Sequence, residues 1–317
     1  MKTEGELHSN GLGKPRFGKR LREALGLSVR LGVLSQYPPR PLKLPRHYAR
    51  RPSLVLFPCI SIITPSFNQG RFIERTIRSV LDQDYPNLEY IIQDGGSADE
   101  TTEILKRHQV AFAHWESRAD EGQAHAINLG FRHSTGELMA WLNSDDLLLP
   151  GALHYVAGYF NRHPEIDAVY GHRVLIDEDD AEIGRWVMPP HDDEIMSWAA
   201  FIPQETLFWR RRLWEKAGGA LDQSFQFAMD WDLLLRFRDA GAKFARLPRF
   251  LGAFRVHPQQ KSSSVIDEIG VQEMNRLRLR ALGRAITAEE LGRRARPYII
   301  RHIVHHKLNQ LLEAFNR

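Results

Sequence analysis

Cys59 is the only cysteine in 317 residues. An intramolecular disulfide is therefore excluded, and a reducing compartment fits. No run of about 18 apolar residues occurs, so no membrane span is expected. The basic N-terminus lacks a following apolar stretch and does not read as a secretory signal. The GxGxxG dinucleotide fingerprint is missing, and so are internal repeats and low-complexity blocks. What remains is an ordinary globular make-up, 43% apolar and 26% charged, with enough length for one large domain or two smaller ones.

The net charge of +4 is unevenly spread. Residues 1–52 hold 12 Lys/Arg and 3 Asp/Glu, a net +9, and the remainder holds 31 and 36, a net −5. Basic arms meet anionic membranes or nucleic acid; the plainer reading is a solvated arm that packs locally. Residues 1–58 read as an extension. "KPRFGKRLREALGLSVRLGVL" has the make-up of a short basic amphipathic helix, and "YPPRPLKLPRHYARRP" of an extended segment.

From Cys59 the pattern becomes regular. "CISIITPS" is a buried strand, and the next segment places Phe72, Ile73, Ile77, Val80 and Leu81 at helical spacing. "EYIIQD", "AFAHWES" and "GELMAWLNS" are further strands, with helices in "GGSADETTEILKRH", which Ser97 is expected to cap, and "GQAHAINLGFRHS". A helix starts near Gly151. Four alternations with short joins predict an α/β fold, a mostly parallel sheet with helices on both faces. Ligands bind such sheets beyond the strands' carboxyl ends, which gathers Asp94, Asp120, Asp145 and Asp146 in one neighbourhood. Beyond residue 165 the chain predicts a hairpin around "EDDA", a strand at "ETLFWRR", helices at "RRLWEKAGG" and "MDWDLLLRFRDAG", and a basic helical end from about Val265.

Four stretches carry candidate chemistry. Asp145 and Asp146 suit a hard divalent cation, or a turn with a helix cap. Asp94, before Gly95 and Gly96, suits hydrogen bonds from a base or ribose, or a turn. Asp230 and Asp232 lie in an apolar helical pattern where carboxylates are costly unless used or paired. A general base fits one of them, with Arg236 or Arg238 pairing the other. His257 opens a polar loop, Gln259 to Ser264, of lid-like composition.

Together "SIITPSFNQGRFIERTIRSVLDQDYPNLEYIIQDGGSADET", "LMAWLNSDDLLLPGAL", "FAMDWDLLLRF" and "FRVHPQQKS" resemble the family-two inverting glycosyltransferases of the GT-A fold, of the bacterial cell-surface or exopolysaccharide type. The similarity spans about residues 60–262. It implies a GT-A domain over 59–264, between the 1–58 extension and a 265–317 helical segment. By resemblance, Thr64, Ser66 and Asp94 contact the nucleotide. Asn143 and Asp145 face the donor, and Asp145, Asp146 and His257 hold Mn²⁺ or Mg²⁺ on its diphosphate. Asp230 is the general base. Two positions depart from the family pattern: Asn143 stands where Asp is common, and Met229 where Glu precedes the base.

The implied reaction moves a sugar from a nucleoside diphosphate sugar to a saccharide or lipid-linked saccharide, with inversion. Gln204, Trp209 and Trp231 are candidates for the acceptor side, since aromatic faces pack on sugar rings; core positions have the same composition. The basic ends suggest peripheral contact with the inner face of the cytoplasmic membrane by an otherwise cytoplasmic protein, and no nucleic-acid partner. Two rivals are a metal-dependent phosphohydrolase, disfavoured because no acid ends the first strand, and a nucleotide-sugar-binding protein without catalysis, for which Met229 speaks. The polysaccharide and cell-envelope setting rests on analogy.

Overall fold

The computed structural model describes residues 33–49, 56–260 and 269–315. Most of the basic helix expected within residues 14–34, and most of the loop from Gln259 to Ser264, lie outside these.

Strand β1 (Ile60–Ser66) is buried throughout. Its alternate residues serve two cores. Ile60 and Ile62 join Ile73, Ile77 and Val80, while Ile63 joins Ile127 and Phe131. That is the period-two logic of a strand covered on both faces. Helix α1 (Gly70–Leu81) buries Phe72, Ile73, Ile77 and Val80 as one stripe. The expected alternation continues through β2 (Leu88–Asp94), α2 (Thr101–His108), β3 (His114–Ser117), α3 (Gln123–Arg132) and β4 (Leu138–Trp141). β1 pairs in parallel with β2 and β4, and β2 with β3. The spatial order β3-β2-β1-β4 brings four carboxyl ends to one edge. Ser97 does not cap α2: the first-turn N–H of Thr101 is met by Asp99 Oδ1 at 3.0 Å instead.

Next come β5 (Leu147–Leu148), α4 (Ala152–Arg162), β6 (Ala168–Ile176), β7 (Glu182–Trp186), α5 (Asp193–Met196), β8 (Phe208–Arg210), α6 (Arg211–Lys216), α7 (Met229–Asp239), β9 (Phe244–Arg255), α8 (Val271–Leu282) and α9 (Ala288–Phe315). β6 and β7 are the expected hairpin. β8 runs antiparallel to β4 and β6, β5 runs antiparallel to β9, and β9 runs parallel to β6. Among the described residues, nine strands thus form one mixed sheet. The parallel winding predicted for the first four strands holds; beyond β4, antiparallel partners take over.

β9 is a single strand despite Pro248. Its register on β6 jumps from Tyr170–Arg246 to His172–Phe250, so an irregularity absorbs the residue that cannot donate to a ladder. Part of the extension is fixed to β7: Gln36 N–H donates to the Ile183 carbonyl at 2.8 Å, and Tyr37, Arg40 and Arg185 converge on the Glu182 carboxylate. Among the described residues no helix is long and apolar enough to cross a membrane.

Candidate active site

The carboxyl edge of β1–β4 borders a cavity of about 470 Å³ lined by Ser66, Phe67, Gly95, Asp120, Asn143 and Asp145, among others. That size suits a small ligand. Its floor is tied together from two loops. Asn68 takes a left-handed conformation (φ 51°), its N–H donates to Ser97 Oγ at 2.7 Å, and its Oδ1 accepts from Ala98 N–H at 2.9 Å. A Cβ on Gly95 would lie 2.9 Å from Asp120 Oδ2, so the Asp120 carboxylate would have to move aside. The Ser66 hydroxyl is buried with no partner among the described residues, so it is available to a ligand at the cavity wall.

Two nucleotide candidates sit behind that wall. Thr64 Oγ1 meets the Tyr90 hydroxyl at 3.1 Å in the core, so the structure does not bring its side chain to the cavity. Asp94 accepts from Ser97 N–H and Oγ, from Gly96 N–H, and from Ser117 Oγ at 2.6 Å. Both of its oxygens are spent on building the turn that presents Gly95.

The acidic segment separates its two aspartates. Asp145 lines the cavity, and its Oδ2 lies 2.9 Å from His257 Nε2. Asp146 is 1% exposed and turns away. Its Oδ1 accepts the Arg255 backbone N–H at 3.0 Å, and its Oδ2 meets Asn143 Nδ2 at 3.4 Å. Burial, then the adjacent Asp145 charge, pushes the Asp146 carboxyl well above the usual carboxylate range. Arg255 Nε also donates to the Asp145 carbonyl at 2.7 Å, so the end of β9 is bolted to this segment. Neither aspartate caps the following helix, whose N-cap is Gly151.

Asp145 and His257 supply a carboxylate oxygen and an imidazole nitrogen, both metal-ligand types. Among the described residues no set of three or more His, Cys, Asp or Glu converges on a metal position. The pair fits a cation that takes its remaining ligands from phosphate and water, the habit of Mg²⁺.

Asp230 stands in the first turn of α7, where the helix dipole favours a negative charge. Burial raises its carboxyl above the ordinary value, against the Trp231 N–H, which donates to Oδ1 at 2.8 Å, and the Arg173 guanidinium. It does not line the 470 Å³ cavity. Asp232 is the structural partner, ion-paired with Arg236 at 2.9 Å and Arg280 at 2.6 Å. Met229, in place of the expected acid, is buried in the core.

The acceptor candidates are corrected. Trp209 and Trp231 are fully buried. Trp209 packs among Trp141, Trp214 and Phe237, and Trp231 Nε1 donates to the Met196 carbonyl at 2.7 Å. Neither can offer a ring face to a sugar. Gln204 instead steadies the acidic segment, donating to the Trp141 carbonyl at 2.8 Å and accepting from Asn143 Nδ2 at 3.3 Å. Gln123 holds Asn143 from the other side at 2.7 Å.

The sequence reading missed the buried Arg173–Glu205 pair, joined through Nε and Oε1 at 2.7 Å, and Arg255. Each is a charge inside an apolar segment, which is the signal that could have found it.

The family model "Glycosyl transferase family 2" matches residues 61–228. An uncharacterised glycosyltransferase of Mycobacterium tuberculosis is 30% identical over 185 residues, 56% of this chain and 68% of the relative. The chondroitin synthase of Escherichia coli is 27% identical over 226 residues, 69% of this chain and 32% of that one. Among solved structures, S. aureus TarS 1–349 in complex with UDP-GlcNAc superposes with a TM-score of 0.60 at 17% identity, covering 78% of this chain and 73% of that one. The mannosyltransferase PcManGT of Pyrobaculum calidifontis, in complex with GDP-Man and Mn²⁺, gives 0.57 at 19% identity, covering 91% and 76%.

Proposed function

The chain belongs to glycosyl transferase family 2 and is a glycosyltransferase, and we propose that it moves a sugar, with inversion, from a nucleoside diphosphate sugar to a saccharide or lipid-linked saccharide. The observation that carries this reading is Asp145 on the wall of a nucleotide-sized cavity, with the buried His257 ring 2.9 Å behind its carboxylate. The catalytic domain spans about residues 59–264.

The base and ribose rest against Ser66, Phe67, Gly95 and Asp120, on the turn that Asp94 shapes. Asn143 and Asp145 face the donor. Asp145 and His257 would hold Mn²⁺ or Mg²⁺, which would supply positive charge to the diphosphate leaving group. Asp146 acts one step back, fixing the segment through Arg255 and Asn143. The acceptor oxygen bonds to the anomeric carbon from the face opposite the leaving group, as the bond to the diphosphate oxygen breaks. The Asp230 carboxylate takes the hydroxyl proton, and its raised affinity for protons suits a general base.

Lipid-linked acceptors lie at a membrane, and the basic ends of the chain support peripheral contact there, in the setting of cell-envelope polysaccharide assembly. Incubation with UDP-, GDP- and dTDP-sugars, Mn²⁺ and a lipid-linked saccharide pool tests the reading. The expected product carries the inverted anomer. Donor binding without any transfer would favour a nucleotide-sugar-binding protein instead.

A further inference from the structure

Helix α9 carries apolar residues on its outward side as well as its inward side, unlike a helix that faces only water. Its inward face buries Tyr298 (3% exposed) and His302 (1%), with the Tyr298 ring packed on Phe201 at 4.7 Å. Its outward face carries Ile300, Val304, Leu308, Leu311 and Leu312, each at least half exposed. At about 100° per residue these five fall in one stripe roughly 18 Å long. Arg296 and Lys307 flank it on one side by the same geometry, while Arg294 and Arg301 are ion-paired with Glu194 and Asp192. Arg296 and Lys307 form no ion pair among the described residues.

We infer that the outward face of α9 docks on an anionic lipid surface, its aliphatic stripe entering the interface and its flanking cations meeting lipid phosphates. Charge decides the occupant. A second copy of this chain on the same face would bring two sets of Arg and Lys together, whereas an anionic bilayer answers both the stripe and its flanks. The helix is not apolar enough to span, which leaves it lying in the surface plane. This deepens the membrane part of the proposed function and assigns the contact to α9 rather than to the basic N-terminal arm.

Flotation of the full chain with phosphatidylcholine vesicles, with and without phosphatidylglycerol, tests it without donor or acceptor. The chain is expected to float only with the anionic vesicles. The triple variant Ile300→Ser, Leu308→Ser, Leu311→Ser should lower the bound-to-free ratio by at least about tenfold, at an unchanged melting temperature. Arg296→Ala with Lys307→Ala should weaken binding more at low salt than at high salt. Unchanged flotation of both variants would overturn the assignment to α9 and leave the arm as the contact. No flotation of the parent chain would overturn membrane docking altogether, while leaving sugar transfer intact. A parent chain that is dimeric in light scattering, made monomeric by the triple variant, would overturn the proposal in favour of a second copy.

Discussion

His257 Nε2 lies 2.9 Å from Asp145 Oδ2, although the two residues are 112 positions apart. The contact depends on the end of β9 reaching the acidic segment after β4. The bolt between them is the neighbouring acid, Asp146, whose Oδ1 holds the Arg255 N–H. One aspartate therefore faces the ligand space and the other secures the frame.

Asp146→Ala should behave first as a stability variant. It leaves the buried Arg255 N–H without an acceptor, at a cost of about 1–3 kcal/mol. Urea unfolding monitored by tryptophan fluorescence should show a lower midpoint. Asp145→Asn should leave the unfolding free energy within about 0.5 kcal/mol of the parent, as a change at a cavity wall.

Asp230→Asn should lower kcat by about 10²–10⁴-fold and leave donor affinity unchanged, the signature of a lost general base. The parent's acid limb should lie above the ordinary Asp range, because burial favours the protonated carboxyl and activity needs it ionised. A pH profile of kcat/KM measures this. An acid limb at the usual aspartate value would remove Asp230 from the role.

Asp232→Ala should destabilise the fold without touching the site. The carboxylate is buried between Arg236 and Arg280, both partly exposed. The solvent around the two guanidinium groups tempers the loss to about 2 kcal/mol. Chemical denaturation together with a donor-binding assay separates the two effects.

Acid should loosen the packing beneath α9. Burial pushes His172 down to about 3 and His302 down to about 4, from 6.5. Between pH 6.5 and 4 the unfolded chain takes up protons on these histidines and the folded chain does not. Stability therefore falls as the pH falls through that window, on the order of 1 kcal/mol per pH unit for each group. His302→Gln should flatten the dependence in denaturation curves taken from pH 7 to 4.5.

The sequence carried the sheet's first half because β1 to β4 obey simple periodicities and are joined by short helical crossovers. It singled out Asp145 and His257 as candidates because each stands in a short local motif. It could not order Asp145 against Asp146: two adjacent identical side chains are told apart by residues at and just beyond the end of β9, Arg255 at Asp146 and His257 at Asp145, 109 and 112 positions away. The tryptophans misled for a related reason. An aromatic beside polar residues reads alike in a sugar site and in a core, and only the packing of Trp209 on Trp141 and Trp214 decides. β5 was too short to read, and α9 read as helical without revealing which face turned inward.

The most direct test of the account is calorimetric titration of the purified protein with UDP, GDP and dTDP, each with and without Mn²⁺, repeated on Asp145→Asn and His257→Gln. The expected result is metal-dependent binding of one nucleotide, weakened by at least about tenfold in each variant. Binding that ignores Mn²⁺ and survives both substitutions would contradict the assignment of Asp145 and His257 as the pair that holds the cation.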